Sequence, residues 1–412
     1  MLQKLPIIFL ILLSVVSNFA LAQQASYNKD SLMTAVLESV NKDSVAQTIQ
    51  SLQNFNTRFA LAPNHKQVAL FVADKLTALG YADVKLDSFQ LDSLQWPPNS
   101  GIFHNTTQYN VIAQVNGLIN PDKIFILGAH YDNVVYPGDA FATTPGADDN
   151  ASGTAAMLET ARVFKLHNIQ PDYTIRFVAF AAEELSLNGS NNYAGKVGNA
   201  QEDLVLMINN DMISHSLQPA NNWKIKIQKY PQTDWVVNLT NQIAQQFTQL
   251  TVVVDSNDIA YSDSYLFSLW GYDAVFYQEN DFFTSLHTTF DVIDSLDMAY
   301  AAELIKISCG VLLSTNLTLT GMADCNATDL SSSIYPNPVL DKMTLNINSK
   351  LNQKALISIF NLNNQPVITQ EKLLIASGMN NIVFDLKHLS KGIYYCVIKT
   401  SQSIYCHKII KL

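Results

Sequence analysis

Gly146 to Gly153 reads GADDNASG, with two carboxylates and an amide side by side between small residues. Adjacent carboxylates repel each other, and nothing in the stretch offers them a cation. Similar residues recur at the ends of apolar runs. KIFILGA runs into His130, Tyr131 and Asp132, and YTIRFVAFAA into Glu183 and Glu184. DLVLMIN runs into Asn210 and Asp211, and DAVFYQ is followed a few residues later by His287. Imidazoles and carboxylates without a thiolate suit zinc or a similar divalent metal. The set exceeds the three protein ligands of one catalytic zinc; it fits two ions about 3.5–4 Å apart that share a bridging carboxylate. The charge that GADDNASG is built to hold is then a metal pair. Gly146, Ala147, Ala151, Ser152 and Gly153 let the backbone turn tightly beside it.

Each residue taken alone has a plainer reading. A lone histidine after a strand is more often a hydrogen-bonded core or surface residue, and Asp-Asp-Asn at a helix start is usually a cap. Those readings do not jointly explain why all of these groups collect in one place. The elements that must position them do. From about Asp30 to Leu79 apolar residues recur three and four apart, the helical spacing. After Gly80 apolar strand-like runs alternate with helical stretches, one of them from about Ser152 to His167. That alternation predicts an α/β domain with a mainly parallel central sheet covered by helices. In such a sheet the strand C-termini lie along one edge, where ligands bind. After a polar, Pro-containing linker around DLSSSIYPNP, short alternating runs predict a small all-β sandwich. The expected domains are residues 1–22, 23–330 and 331–412.

Residues 1–22 read as a signal peptide: Lys4, an apolar run, and a small-x-small site cleaved near Ala22. No later stretch looks long and apolar enough to cross a bilayer, so no stable membrane span is expected once the signal is removed. The 412 residues are 48% hydrophobic with a net charge of −10, which supports a large core and argues against a nucleic-acid partner. Of the four cysteines, Cys309 and Cys325 have no close Cys or His neighbour. Cys396 and Cys406 flank a turn at KTSQS, so they either face each other across a hairpin or are buried thiols.

The stretches GAHYD, PGADDNASG, AAEELSLNGS, NNDMI and SLHTTFD, in this order over about Asn110 to Asp291, resemble metallopeptidase family 28. These are the dizinc peptidases that include bacterial leucyl aminopeptidases. The resemblance implies the aminopeptidase-like fold, two zinc ions and peptide substrates. Asp149 would bridge the ions, His130 and Asp211 would complete one site, and Glu184 and His287 the other. Glu183 matches the general base that deprotonates a water bridging the two zincs, and Asp132 the carboxylate that orients His130. Asp148 is not a ligand in this alignment. Two departures stand out: Ser186 where a glycine is common and Ser264 where a histidine is common. The implied activity is that of a secreted aminopeptidase. The rivals are a glutaminyl cyclase or carboxypeptidase of the same fold, or a secreted binding protein without catalysis.

The tail, through IYPNPVLDK and LSKGIYYCVIKT…HKIIKL, resembles the C-terminal sorting domain of the type IX secretion system. That implies engagement of the type IX machinery, passage through the periplasm, and release or display at the cell surface with removal of the tail.

Overall fold

A computed structural model describes residues 29–256, 262–316, 330–361, 366–400 and 404–412. The signal-like segment 1–22 and Cys325 lie outside the described residues. Two compact units divide the chain, with Met33–Leu317 in one and Thr318–Leu412 in the other.

The first unit opens with helices α1 (Lys29–Glu38), α2 (Lys42–Gln53) and α3 (His65–Ala78). Asn41 starts α2, its side chain accepting the amides of Asp43 and Ser44. Eight strands follow, β1 (Val84–Gln95), β2 (Phe103–Val115), β3 (Asn120–His130), β4 (Tyr173–Phe180), β5 (Asp203–Asn210), β6 (Lys224–Lys229), β7 (Thr251–Asp255) and β8 (Ala274–Glu279). They form one sheet in the order β1-β2-β4-β3-β5-β8-β6-β7. The block β4-β3-β5-β8 is parallel throughout. β2 and β6 run antiparallel to its two edges, so the sheet is mixed at its flanks. The chain leaves β3 for β4 on one side and later returns to β5 on the other. That change of side opens a crevice at the strand C-termini.

Helices α4 (Gly153–Leu166), α5 (Asn188–Asn199), α6 (Asp234–Phe247), α7 (Ser264–Leu269) and α8 (Met298–Asn316) complete the unit. On one face of the sheet, Ile124, Ile126, Val178 and Phe180 cluster with Tyr193 and Val197 of α5 and Phe267 of α7. On the other, Phe177 meets Phe164 of α4 with ring centroids 6.2 Å apart. Strands buried on both faces explain why β3, β4 and β5 read as continuous apolar runs. α8 is long and apolar enough to cross a membrane, contrary to the sequence expectation. Here 72% of that stretch is buried inside the unit, the environment of a core helix.

The second unit holds β9 (Leu330–Tyr335), β10 (Lys342–Ser349), β11 (Gln353–Asn361), β12 (Pro366–Ile375), β13 (Gly378–Asp385), β14 (Gly392–Lys399) and β15 (Ile404–Lys411). They pair antiparallel in two sheets, β13-β10-β9 and β12-β11-β14-β15. Met343, Leu345, Ile347, Ile357, Ile359 and Ile398 share the core between them. The stretch read as a linker contributes β9: Ser331 to Ser333 pair with Asn348 to Asn346 of β10. The register also bears on the cysteines. Cys396 stands opposite His407, and Cys406 opposite Val397, so the two cysteines are not cross-strand partners.

Candidate metal centre

The four parallel strands deliver the chemistry. His130 is the last residue of β3, Glu183 and Glu184 follow β4, Asp211 follows β5, and His287 stands in the loop after β8. Asp149 comes from the turn between β3 and α4, where residues 147–152 form a tight non-α turn. Asp149 and Asn150 leave helical dihedrals there, so the carboxylate points out of the helix line rather than capping it. Both flanking glycines are sterically required. A Cβ on Gly146, whose φ is +51°, would lie 2.1 Å from Nδ2 of Asn133 and 2.5 Å from the carbonyl of Asp149. One on Gly153 would lie 2.1 Å from the carbonyl of Asn210.

The side chains converge in two groups that share Asp149. Nε2 of His130 lies 3.3 Å from Asp149 Oδ1 and 3.3 Å from Asp211 Oδ1. Nε2 of His287 lies 3.1 Å from Asp149 Oδ2 and 3.0 Å from Glu184 Oε2. Within each group the ligand atoms all lie within 4.8 Å of one another. One proton on Nε2 of His130 cannot serve two carboxylates at equal distance, whereas a cation between all three can. Two ligand atoms about 2.0–2.1 Å from one tetrahedral zinc stand about 3.3 Å apart, close to these separations. Asp211 Oδ1 and Glu184 Oε1 are buried without a hydrogen-bond partner among the described residues. Buried carboxylate oxygens left so are costly unless a cation completes them. The nitrogen and oxygen donors, the spacing and the orphaned oxygens all fit zinc.

The surroundings hold each candidate ligand in place. Nδ1 of His130 lies 3.1 Å from the backbone carbonyl of Asp132, an acceptor that leaves Nε2 facing the carboxylates. The Asp132 carboxylate, expected to orient His130, lies 3.6 Å from Nδ1, beyond hydrogen-bond reach. It accepts instead the amides of Glu183 at 3.0 Å and Glu184 at 3.3 Å, and so fixes the turn that presents both glutamates. Ser262 donates to Asp211 Oδ2 at 2.6 Å and receives a bond from Asn209. Three residues beside or within the ligand set have left-handed backbones: Ala182 (φ +55°), Met212 (φ +53°) and His287 (φ +56°). Strain of this kind gathers where surrounding structure dictates a side chain's aim.

The titration pattern has the same origin. Burial would lower the His287 imidazole, but Asp149 and Glu184 outweigh it and push it up to about 11. Burial would also lower His130, and Glu183 and Asp211 raise it well above the usual range. Burial raises Asp149, yet the two imidazoles hold it well below the usual carboxylate range. Burial pushes Glu184 up to about 8 and Glu183 well above the usual range, where the neighbouring carboxylates add to it. Protons and metal ions compete for the same lone pairs, so binding of metal displaces these protons.

Several residues that support the site carry little sequence signal. Asp291, inside SLHTTFD, accepts the amides of Asp148 at 2.7 Å and Asp149 at 3.0 Å. Asp148 itself faces away from the ion positions: its Oδ1 accepts the Ser214 amide at 2.9 Å, and its carboxyl group meets that of Glu279. Arg58, in the loop after α2, is fully buried behind the centre. Of the two departures, Ser264 is buried with its hydroxyl 3.0 Å from that of Tyr230, and Ser186 is exposed with φ +80°.

Residues 110–311 match the model for peptidase family M28, and residues 333–412 that for a secretion system C-terminal sorting domain. A protein of Pyrenophora tritici-repentis named "Probable zinc metalloprotease" is 32% identical over 51% of this chain and 51% of its own. The chain thus spans about half the length of that relative. Leucine aminopeptidase 1 of Ajellomyces capsulatus is 24% identical over 66% of this chain and 71% of its own. Among solved structures, the LapA aminopeptidase of Legionella pneumophila superposes with a TM-score of 0.57 at 19% identity, covering 69% of this chain and 73% of its own. Residues 110–311 therefore belong to peptidase family M28, and residues 333–412 to the secretion-system C-terminal sorting domains.

Proposed function

We propose that this chain is an exported zinc-dependent exopeptidase, an aminopeptidase that removes N-terminal residues from peptides at a two-ion centre. The observation that carries this reading is the division of Asp149, with Oδ1 in the His130–Asp211 group and Oδ2 in the His287–Glu184 group. A carboxylate placed in this way can bridge two ions. Zinc held there would supply Lewis acidity at the scissile carbonyl and lower the pKa of a bound water towards neutrality.

The chain's own residues do the rest. Glu183 belongs to neither ligand group, yet its Oε2 lies 3.9 Å from Nε2 of His130. In this reading it takes a proton from the attacking water and returns it to the leaving amine. Asp132 fixes the angle of that glutamate through the Glu183 amide. His287 is 40% exposed, while His130 is 1% exposed, so substrate approaches from the His287 side.

Two observations weigh against the rivals. A one-zinc cyclase does not need the complete second group of Asp149, Glu184 and His287. A carboxypeptidase needs a cation for the substrate's C-terminal carboxylate; Arg58, whose charge acts on these carboxylates, is fully buried and donates to three backbone carbonyls. The sorting domain supports export to the cell surface or medium as the setting, and peptides as what the enzyme meets there.

The test is a panel of free and N-blocked peptides, C-terminally blocked peptides and N-terminal glutaminyl peptides, assayed with and without chelator. The proposal expects zinc-dependent release of N-terminal residues from unblocked substrates only. Cleavage that ignores N-terminal blocking, or cyclisation of glutaminyl peptides without hydrolysis, would overturn it.

A further inference from the structure

Arg58 stands outside the family-matched segment 110–311, yet it touches both ends of the loop that separates His130 from Asp149. Its Nε donates to the carbonyl of Tyr131 at 2.9 Å, Nη1 to that of Pro145 at 2.8 Å and Nη2 to that of Gly146 at 2.7 Å. Tyr131 follows one candidate ligand directly, and Gly146 precedes the shared one by three residues. The backbone around Arg58 binds the same loop. The Arg58 amide lies 3.2 Å from both Asn133 Oδ1 and Thr144 Oγ1, and Thr57 donates to the carbonyl of Ala140 at 2.7 Å. Asn133 and Thr144 are also hydrogen-bonded to each other.

Burying a guanidinium is costly unless hydrogen bonds and opposite charge offset the lost hydration. Arg58 is 1% exposed and makes no direct ion pair among the described residues, so three carbonyls and the field of Asp291, Asp132, Asp149 and Glu184 must stabilise it. An apolar side chain of similar volume would leave those three carbonyls without a donor. A buried planar fork is explained if the spacing of the loop ends, and a fixed positive charge behind the carboxylates, both matter to the site.

The geometry points to Arg58 as a positioning residue of the metal centre: by tying Tyr131 to Pro145 and Gly146, it sets the separation of His130 from the shared Asp149. This rests on the two-ion reading of the site, and its test needs no peptide substrate. The full chain is stripped with chelator and titrated with Co(II), read by the visible d–d absorption. Wild type takes up two equivalents; fewer would remove the two-ion reading and this role together. Arg58→Lys keeps a positive charge but cannot reach three carbonyls as a planar fork does. We expect it to weaken uptake at least tenfold and to alter the band shape. Ile305→Val in α8, a buried core position with no hydrogen bond to the loop, controls for general loss of stability and should titrate like wild type. Where Arg58→Lys yields too little folded protein, Thr57→Val, which removes the hydroxyl's bonds to Ala140 and Thr144 of the same loop, should weaken uptake in the same direction.

Two equivalents bound by Arg58→Lys with wild-type affinity and spectrum would overturn the role. So would an equal loss in Ile305→Val, or no change in Thr57→Val. Wild-type protein that binds two Co(II) but cleaves no peptide would instead refute the proposed activity and leave the role of Arg58 intact.

Discussion

Asp291 holds Asp149 by the backbone, its Oδ2 accepting the Asp149 amide at 3.0 Å while its Oδ1 accepts that of Asp148 at 2.7 Å. Both oxygens are therefore committed. In Asp291→Asn one amide would face an NH2 group instead of an acceptor. The cost of a buried donor left unpaired is about 1–3 kcal/mol. We expect a lower Tm and weaker zinc binding, measured by thermal unfolding and by calorimetric titration of the stripped protein. Unchanged zinc affinity would show that the turn keeps its shape without this carboxylate.

Glu183 and Glu184 are neighbours with separable roles. In Glu183→Gln the proton acceptor is lost while both ligand groups stay complete. Its kcat should fall by about 10²–10⁴, the usual worth of a positioned proton carrier. Zinc content should stay at the wild-type value. Glu184→Gln should lose zinc as well as rate, because Glu184 Oε2 stands 3.0 Å from His287 Nε2 within the second group. Metal analysis beside kinetics on both variants decides. Near-normal kcat in fully loaded Glu183→Gln would remove it as the base.

Chelation should destabilise the fold as well as stop turnover. Metal that binds only the native state stabilises it by about 4.1 kcal/mol at a free concentration of 1,000 times Kd. Without it, Asp149, Asp211 and Glu184 crowd two imidazoles with buried oxygens unpaired. A clear drop in Tm on chelation, reversed by added zinc, is the expected result. A Tm indifferent to chelator would show that no ion contributes to the native state.

Ser186 is exposed and holds φ +80°, a region that suits glycine. Ser186→Gly should relieve that strain. The left-handed backbone costs a non-glycine residue about 1–2 kcal/mol, and glycine's greater freedom in the unfolded chain returns about 0.4–1 kcal/mol of it. A rise in Tm with kcat unchanged is expected, and a fall in Tm would count against the strain.

The second unit has its own core of Met343, Leu345, Ile347, Ile357, Ile359 and Ile398. No group of metal ligands is found in it among the described residues. A chain ending at Asn316 should therefore keep the turnover of the full protein. A folded, zinc-loaded truncation without activity would show that the tail takes part in the site.

The parallel block was legible because its strands are buried on both faces and read as unbroken apolar runs ending in polar residues. β1 and β6 were not read from sequence. Val84–Gln95 and Lys224–Lys229 alternate apolar with charged or polar residues and lack the apolar run that marks the central strands. The residues of the ligand groups stood out because type and position coincided at each strand end. Arg58 and Asp291 did not. One lies in a loop between helices, and the other acts through backbone amides, a role that no residue type announces. Asp132 shows a finer limit: its place beside the site was readable, but which atoms it engages was not.

The order in which the chain is made gives the shared aspartate a temporal consequence. His130, Asp149 and Asp211 all lie in the first 211 residues, whereas His287 and Asp291 come more than seventy residues later. A ribosome that delivers the N-terminus first thus completes one ligand group well before the other. Any product that stops short of His287 lacks both that ligand and the acceptor, Asp291, that holds the Asp149 amide. An interrupted message therefore yields a chain that can assemble the first ligand group but not the second.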